Sequence, residues 1–331
     1  MGTFIKYINF YVPEQVITNE QLVAEFPEWS VKKIVTKVGV NKRYNAREDE
    51  TASDLAYEAG KRLIEENGID RNSIDFLLFC TQTTDYIMPP AACLLQSRLG
   101  LPNNCGAFDY NLGCSGFVYG LSLAKGLITA GVAKNILLLT GDTYSKIMHK
   151  RDKGDRSIIG DGASASLITT EGFAEVGNFV LGTDGQMPEP IIVKTGGMRY
   201  RQPMNDLYFT DSGNPVSSDY FYMDGPAVFK FTLDRVPNLV KDTLTKNNLE
   251  QKDIDLFVLH QANRYLLECL KDIMNIEDEK FYYCISEYGN TVSSTIPVAL
   301  TCARKENILK GNILLAAFGV GFSWGGVVLR I

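Results

Sequence analysis

Ile69-Asp70-Arg71-Asn72-Ser73-Ile74-Asp75-Phe76-Leu77-Leu78-Phe79-Cys80 has a second version in the same chain. Leu249-Glu250-Gln251-Lys252-Asp253-Ile254-Asp255-Leu256-Phe257-Val258-Leu259-His260 aligns with it without a gap, 180 residues later. Each copy follows a helical segment that ends near Gly68 or Asn248, and each closes on a continuous apolar run. Such a run reads as a strand buried on both faces. Asn135-Ile136-Leu137-Leu138 and Asn312-Ile313-Leu314-Leu315 repeat in the same way at 177 residues. A period this long means two copies of one α/β unit rather than a solenoid. Helices alternating with apolar strands imply sheets covered by helices.

Outward from the repeat, residues 3–12 alternate as a strand ended by Pro13, and Thr18-Asn19-Glu20-Gln21 opens a helix. Residues 20–43 carry Trp29 and a basic group of Lys32, Lys33, Lys37, Lys42 and Arg43. Thr51 to Asn67 has helical periodicity and Gly68 as its stop. Pro89 and Pro90 start a helix over 91–99. Strands are expected at 133–140 and 161–168. Residues 171–225 are rich in Gly, Pro, Asn and Asp, which predicts loops and edge strands.

The 331 residues are 45% hydrophobic and 22% charged, enough for a substantial core. A net charge of −6 argues against a general nucleic-acid binder. The seven cysteines are odd in number and form no CxxC pair, so neither a disulfide framework nor a zinc site is indicated. A reducing compartment fits them best. The N-terminal residues lack a basic region followed by an apolar run, and no stretch reaches the length of a membrane span. The expectation is a cytoplasmic protein with no membrane partner.

In Asn111-Leu112-Gly113-Cys114-Ser115-Gly116-Phe117, a cysteine between glycines opens a helix of small and apolar residues. Glycines let the chain turn sharply and let a substrate approach the backbone. A helix N-terminus favours thiolate over thiol. Such a cysteine serves either as a small packed residue or as a nucleophile. At a spacing of 176 lies Asn290, in Tyr288-Gly289-Asn290-Thr291-Val292-Ser293-Ser294-Thr295-Ile296-Pro297. Equivalent turns of a pseudo-symmetric fold face one another, so Cys114, His260 and Asn290 are expected to converge. The chain has two histidines. His149 sits in a charged loop and reads as solvated. His260 ends a buried strand beside the amides Gln261 and Asn263, which are expected to fix its tautomer.

Together with Phe318-Gly319-Val320-Gly321-Phe322-Ser323-Trp324-Gly325, these motifs resemble a β-ketoacyl-acyl-carrier-protein synthase III, a condensing enzyme of the thiolase superfamily. Pro90-Ala91-Ala92-Cys93, Gly160-Asp161-Gly162-Ala163 and Ile296-Pro297-Val298-Ala299-Leu300 extend the similarity along nearly the whole chain. The resemblance implies a five-layered αβαβα α/β fold of two duplicated halves, residues 1–171 and 172–331, in one compact unit and usually a homodimer. It implies an acyltransferase: Cys114 takes an acyl group from acyl-CoA, and malonyl-acyl-carrier protein then condenses with it and loses carbon dioxide. His260 and Asn290 would donate hydrogen bonds to the enolate. The backbone N–H groups of Cys114 and Val320 would hold the tetrahedral oxyanion. No metal or redox cofactor is implied.

The same resemblance assigns CoA contacts to Trp29, Lys37, Lys153, Arg156 and Asn263, carrier-protein docking to Arg264, and the acyl pocket to Met88 and Phe318. The chain departs from the family pattern at several of these places. Val320 stands for a glycine, Lys37 for an arginine, and Met88 where a partner-subunit phenylalanine is common. A polar insert runs around residues 195–220. These departures leave open a specialised synthase with another acyl primer, or a non-condensing acyl-binding relative. A thiolase needs a second cysteine near the C-terminal glycine turn, where the nearest here is Cys302. A hydroxymethylglutaryl-CoA-type synthase needs a glutamate base, and Glu287 is the nearest to Asn290.

Overall fold

The computed structural model describes residues 2–331. Nine strands form the main sheet: β1 (Phe4–Tyr11), β2 (Phe76–Cys80), β3 (Gly106–Tyr110), β4 (Ile136–Asp142), β5 (Gly162–Thr169), β6 (Ala174–Thr183), β7 (Leu256–Leu259), β8 (Asn312–Gly319) and β9 (Ser323–Arg330). Their order is β7-β8-β9-β6-β1-β5-β4-β2-β3. β6 and β1 share only two residue pairs, Phe4 with Glu175 and Ile5 with Ala174. The sheet is therefore two half-sheets hinged at one corner.

Ten helices cover them: α1 (Asn19–Glu25), α2 (Val31–Lys37), α3 (Ala52–Glu66), α4 (Ala91–Arg98), α5 (Gly116–Thr129), α6 (Lys153–Ile158), α7 (Gly225–Lys246), α8 (Arg264–Ile273), α9 (Ile285–Tyr288) and α10 (Thr295–Lys305). α3 and α4 pack on the outside of the N-terminal half-sheet, and α7 on the outside of the C-terminal one, with α8 against α7. α5 touches strands of both half-sheets. Together with α10 it fills the space between them, giving the five layers. Strand alternation sorts the side chains. Leu78, Leu138, Val258 and Leu315 face the central layer, whereas Leu77 and Leu137 face α3, and Phe257 and Leu314 face α7.

The sequence repeat is the register of two ladders. β2 pairs with β4 in parallel as Phe76 with Ile136, and β7 pairs with β8 as Leu256 with Ile313. Those are the aligned positions at 180 and 177. The polar residues recur for the same reason. Asp75 accepts the Asn135 N–H at 2.9 Å, and Asp255 accepts that of Asn312 at 2.8 Å. The Asn135 amide donates to Ser73 O and the Asn312 amide to Asp253 O, both at 2.9 Å. Each half thus closes the start of its central strand pair with one Asp–Asn clasp.

One expectation fails. Within 171–225, β6 is a ten-residue strand next to the hinge, not a loop or an edge. Its turn-like composition has a packing cause. A Cβ on Gly177 would lie 2.5 Å from Asn247 Oδ1, and one on Gly182 would lie 2.3 Å from the Trp324 ring. The glycines are there for close approach. The remainder of that region does form short pairs, 191–192 with 222–223 and 208–209 with 215–216. The divide expected at 171/172 falls in the turn between β5 and β6. Among the described residues no helix is long and apolar enough to cross a membrane.

Candidate active site

Cys114 sits at the mouth of α5, on the C-terminal side of β2 and β4, where α/β sheets place their clefts. Three contacts hold it. Cys80 Sγ bonds Leu112 O at 2.9 Å, and Gly116 has no Cβ because one would lie 2.2 Å from that sulfur. Ser115 Oγ meets Ser323 Oγ at 2.7 Å, and Ser323 donates to Val320 O at 2.8 Å. Gly319 lies directly against the cysteine, where a Cβ would be 2.8 Å from Cys114 Cβ and 2.9 Å from Sγ. The turn after β8 is thereby locked to the start of α5.

Burial pushes the Cys114 thiol up to about 12, and the nearby Asp142 adds to it. The backbone N–H groups of Cys114 and Val320, near the sulfur, act in the opposite direction. The expectation of a thiolate favoured by the helix end is therefore reversed in the resting site. Desolvation outweighs the helix end here. Both N–H groups lie where the start of α5 meets the turn after β8.

His260 follows β7 and is 2% exposed. Burial pulls its imidazole down to about 3, so the ring is neutral. Its Nδ1 lies 2.6 Å from Thr295 Oγ1, and its ring meets the Phe318 ring edge-on at 5.5 Å. The amides expected to fix its tautomer do other work. Gln261 ties the end of β7 to Tyr282 O and the Cys284 N–H, and Asn263 caps α8 through the Leu266 N–H. Asn290 is bridged to Ile159, and its Oδ1 accepts the Val292 N–H at 2.9 Å. Ile159 and Val292 pack in one apolar cluster with Cys114. Phe318 beside His260 immediately precedes Gly319 beside Cys114. These contacts tie His260 and Asn290 to the two segments, 290–295 and 318–319, that also pack on Cys114. The partner of Cys114 across the repeat needs correcting. α5 and α10 start 179 residues apart, so its equivalent is Ser293, not Asn290.

One segment, 290–295, anchors both His260 and Asn290. It holds the Asn290 side-chain Oδ1 and the His260 Nδ1. Among the described residues no protein group bonds Asn290 Nδ2 or His260 Nε2. Val292 adopts φ 54°, a conformation a β-branched residue avoids at a cost of about 1–3 kcal/mol. Surrounding bonds enforce it. Ser293 bonds Asp142, and Ser294 meets Thr140 Oγ1 at 2.7 Å. Sequence reading overlooked Ser293 and Thr295. The signal was the run of hydroxyls Ser293-Ser294-Thr295 just before Ile296-Pro297, at a helix start.

The family profile described as "3-Oxoacyl-[acyl-carrier-protein (ACP)] synthase III" matches residues 108–185, and its C-terminal counterpart matches residues 244–331. The "Beta-ketoacyl-[acyl-carrier-protein] synthase III" of Clostridium perfringens is 35% identical, covering 98% of this chain and 99% of its own. The protein of the same name from Campylobacter fetus is 36% identical, with 98% and 96% covered. The chain belongs to the β-ketoacyl-acyl-carrier-protein synthase III family. A crystal structure of a 3-oxoacyl-(acyl-carrier-protein) synthase III superposes with a TM-score of 0.97 at 43% identity, over all of both chains.

The other residues that resemblance to synthase III singled out lie in several places. Lys153 bonds Glu28 Oε1 at 2.8 Å and Ser212 O at 3.0 Å. Arg156 holds Glu25 Oε2 at 2.7 Å. Both cations belong to α6 and meet the end of α1 and the loop after it. A cavity of about 580 Å³ opens between Glu25, Phe26, Glu28, Lys150 and Lys153. Trp29 stands under Lys33, whose Nζ is 5.3 Å from the ring centroid. Lys37 is exposed in the last turn of α2. Arg264 adjoins it, because its N–H bonds Val38 O at 3.0 Å. Its guanidinium pairs with Glu268 and stacks on Tyr283. Arg43, read as part of a basic surface group, is instead fully buried and donates to Ile17 O, Asn19 Oδ1 and Ser157 O. Met88 is 78% exposed, while Phe318 is buried against His260. The apolar wall beside Cys114 comes from Tyr144, Met148, Ile159, Phe221 and Val292, which sequence reading did not single out. Among the described residues no three His, Cys, Asp or Glu side chains cluster as metal ligands would.

Proposed function

We propose that this chain condenses an acyl-CoA primer with malonyl-acyl-carrier protein, releasing carbon dioxide and β-ketoacyl-acyl-carrier protein, the step that initiates fatty acid synthesis. Cys114 attacks the acyl thioester and keeps the acyl group, and its proton ends on the departing CoA thiol. A neutral resting thiol suits this exchange, because thiol and thioester simply change places. Malonyl-acyl-carrier protein then loses carbon dioxide. His260 Nε2 and Asn290 Nδ2 donate to the enolate oxygen, each contributing on the order of 3 kcal/mol. The enolate carbon attacks the acyl-Cys114 carbonyl, whose oxygen enters the space between the Cys114 and Val320 N–H groups. Collapse expels the Cys114 thiolate, which takes a proton from water to restore the resting thiol. Glu287 takes no part. It pairs with Lys42 at 3.1 Å.

The observation that carries this reading is the 290–295 segment. It occupies one atom of each donor and leaves the other atom free, beside the cysteine at the start of α5. Lys37, Lys153 and Arg156 with Trp29 and Asn263 form the CoA-binding face, and Arg264 with Lys37 receives the carrier protein. No metal or redox cofactor enters the scheme. The seven cysteines are all free thiols, which suits a cytoplasmic enzyme. We assign the functional form as a homodimer, joined along β3. That strand ends the sheet with an open edge, and Asp109 on it holds the loop bearing Tyr86, Ile87 and Met88 through the Ala91 and Ala92 N–H groups, both at 2.6 Å. Met88 then reaches the partner's acyl pocket. Radiolabelled acyl-CoA should label the wild type and leave Cys114→Ser unlabelled, and the labelled wild type should release β-ketoacyl product on adding malonyl-acyl-carrier protein. Equal labelling of the Ser variant, or a stable acyl-enzyme that never turns over, would overturn the reading.

A further inference from the structure

We infer that Thr295 is a positioning residue that sets the tautomer of His260, holding its proton on Nε2 so that the ring faces substrate as a donor. The inference rests on the condensing role proposed above. It starts from a choice that the Thr295 hydroxyl must make. Its single proton can go to His260 Nδ1, 2.6 Å away, or to Val292 O, 3.3 Å away. An O–H···O bond normally spans about 2.5–3.0 Å, so the carbonyl is a poor acceptor here. The proton therefore goes to Nδ1. A neutral imidazole that accepts at Nδ1 must carry its hydrogen at Nε2. Burial keeps the ring neutral, so a second proton does not blur the choice.

The repeat gives an independent observation. β2 and β7 correspond at a spacing of 180, and α5 and α10 at 179. His260 and Thr295 therefore occupy the places of Cys80 and Gly116. In the N-terminal half that pair is a packing contact with no room for a side chain at 116. In the C-terminal half the same junction of strand end and helix start holds a hydrogen-bonding pair. The duplication left a residue-to-residue contact at this point, and only the histidine half carries a hydroxyl in it.

The two histidines make the test direct. In the 15N spectrum of histidine-labelled protein, His149 and His260 give the only imidazole signals. His149 Nδ1 accepts the Arg151 N–H at 3.1 Å, so its neutral form supplies an internal reference with the same tautomer. Wild-type His260 should show a protonated Nε2 and an unprotonated Nδ1, unchanged from pH 8 to pH 5. Thr295→Val keeps the shape and removes the hydroxyl. It should shift His260 toward the Nδ1–H form and lower kcat for condensation by about 100-fold. KM for malonyl-acyl-carrier protein and labelling of Cys114 by acyl-CoA should stay within about twofold. Thr295→Ser should restore both tautomer and rate. A protonated Nδ1 in the wild type overturns the inference by itself, whether or not the variants fold. A Val variant with the wild-type tautomer overturns it too, as does equal loss of labelling and condensation. Failure of Cys114 to label in the wild type would instead strike the condensing reaction, and leave the tautomer readout standing.

Discussion

At the end of β8, Gly319 touches Cys114 of the opposite half. At the end of β4, Asp142 holds Ser293 of the opposite half. β4 and β8 correspond at 177 and their facing helices at 179, so these two contacts are the same contact under the pseudo-twofold relation. One copy has been emptied. Glycine leaves the sulfur 2.9 Å from where a Cβ would stand, and the turn beyond it supplies a free N–H. The other copy has been filled. The Asp142 carboxylate accepts the Gln82 N–H at 2.8 Å and the Ser293 hydroxyl, and so fixes the segment that anchors Asn290 and His260, the proposed enolate donors. Duplication supplied the scaffold twice. Division of labour followed from making one strand end small and the other polar.

The filled copy should show the larger effect when changed. Burial raises the Asp142 carboxyl to about 7, from an ordinary value near 4. The folded protein thus binds a proton there that the unfolded chain releases. Its contribution to stability is complete below about pH 4 and is lost as pH rises to 7, on the order of 4 kcal/mol in all. Asp142→Asn is neutral throughout and should lack that decline. Asp161, raised to about 6 by burial, declines between pH 4 and 6 in both proteins. Asp155, also raised by burial, and His260, lowered by it, act alike in both proteins, so the difference between the two stability curves from pH 6 to 7 isolates Asp142. Across that interval the wild type should lose stability relative to the Asn variant, as chemical denaturation would measure. Parallel curves would show that the carboxylate is ionised in the folded state and that the two strand ends differ less than their geometry suggests.

The emptied copy is tested by refilling it. Gly319→Ala places a Cβ 2.8 Å from Cys114 Cβ, with the sulfur locked between β8 and α5. Overpacking of this kind costs about 1–3 kcal/mol of stability. The displaced sulfur should slow acyl transfer from acyl-CoA by about 100-fold, the usual effect of a misplacement near 1 Å. Stopped-flow labelling of Cys114 measures it. Transfer at the wild-type rate would mean that Cys114 has room to retreat, and that the glycine serves the turn instead of the thiol.

Much of this was legible in the chain because the repeat reports register directly. Asp75 and Asp255, Asn135 and Asn312 recur because each half closes its strand pair with the same hydrogen bonds. The helix bounds followed from local chemistry: Thr51 accepts from the Asp54 N–H at 3.4 Å, and Gly68 takes φ 59°. What escaped reading depends on contacts between distant residues. β6 looks like a loop until Trp324 and Asn247 are placed against its glycines. Arg43 looks like one of several surface cations until it is seen donating to Ile17, Asn19, Val40 and Ser157 inside the protein. The charge state of Cys114 could not be read either. A helix start is a local feature, whereas the desolvation that outweighs it comes from both halves.

The smallest expected effect lies outside this paired core, on the face where the proposed CoA cations are already occupied. Arg156 holds Glu25 and Lys153 holds Glu28, whereas in the C-terminal half Arg264 holds Glu268. A phosphate group arriving at α6 must displace a carboxylate. The glutamates of these pairs are half-exposed, and pairs open to solvent on one side are weak, so the competition costs only about two- to fivefold in affinity. Glu25→Gln should therefore lower KM for acyl-CoA by that factor and leave kcat alone. Glu268→Gln should lower KM for the carrier protein and not for acyl-CoA. Both gains should fade as salt is raised, because surface charges are screened over about 8–10 Å at ordinary ionic strength. An unchanged acyl-CoA KM in low salt would remove Arg156 from the CoA face. It would place the burden of phosphate binding on Lys37, which has no carboxylate within 4.0 Å among the described residues and needs no partner displaced.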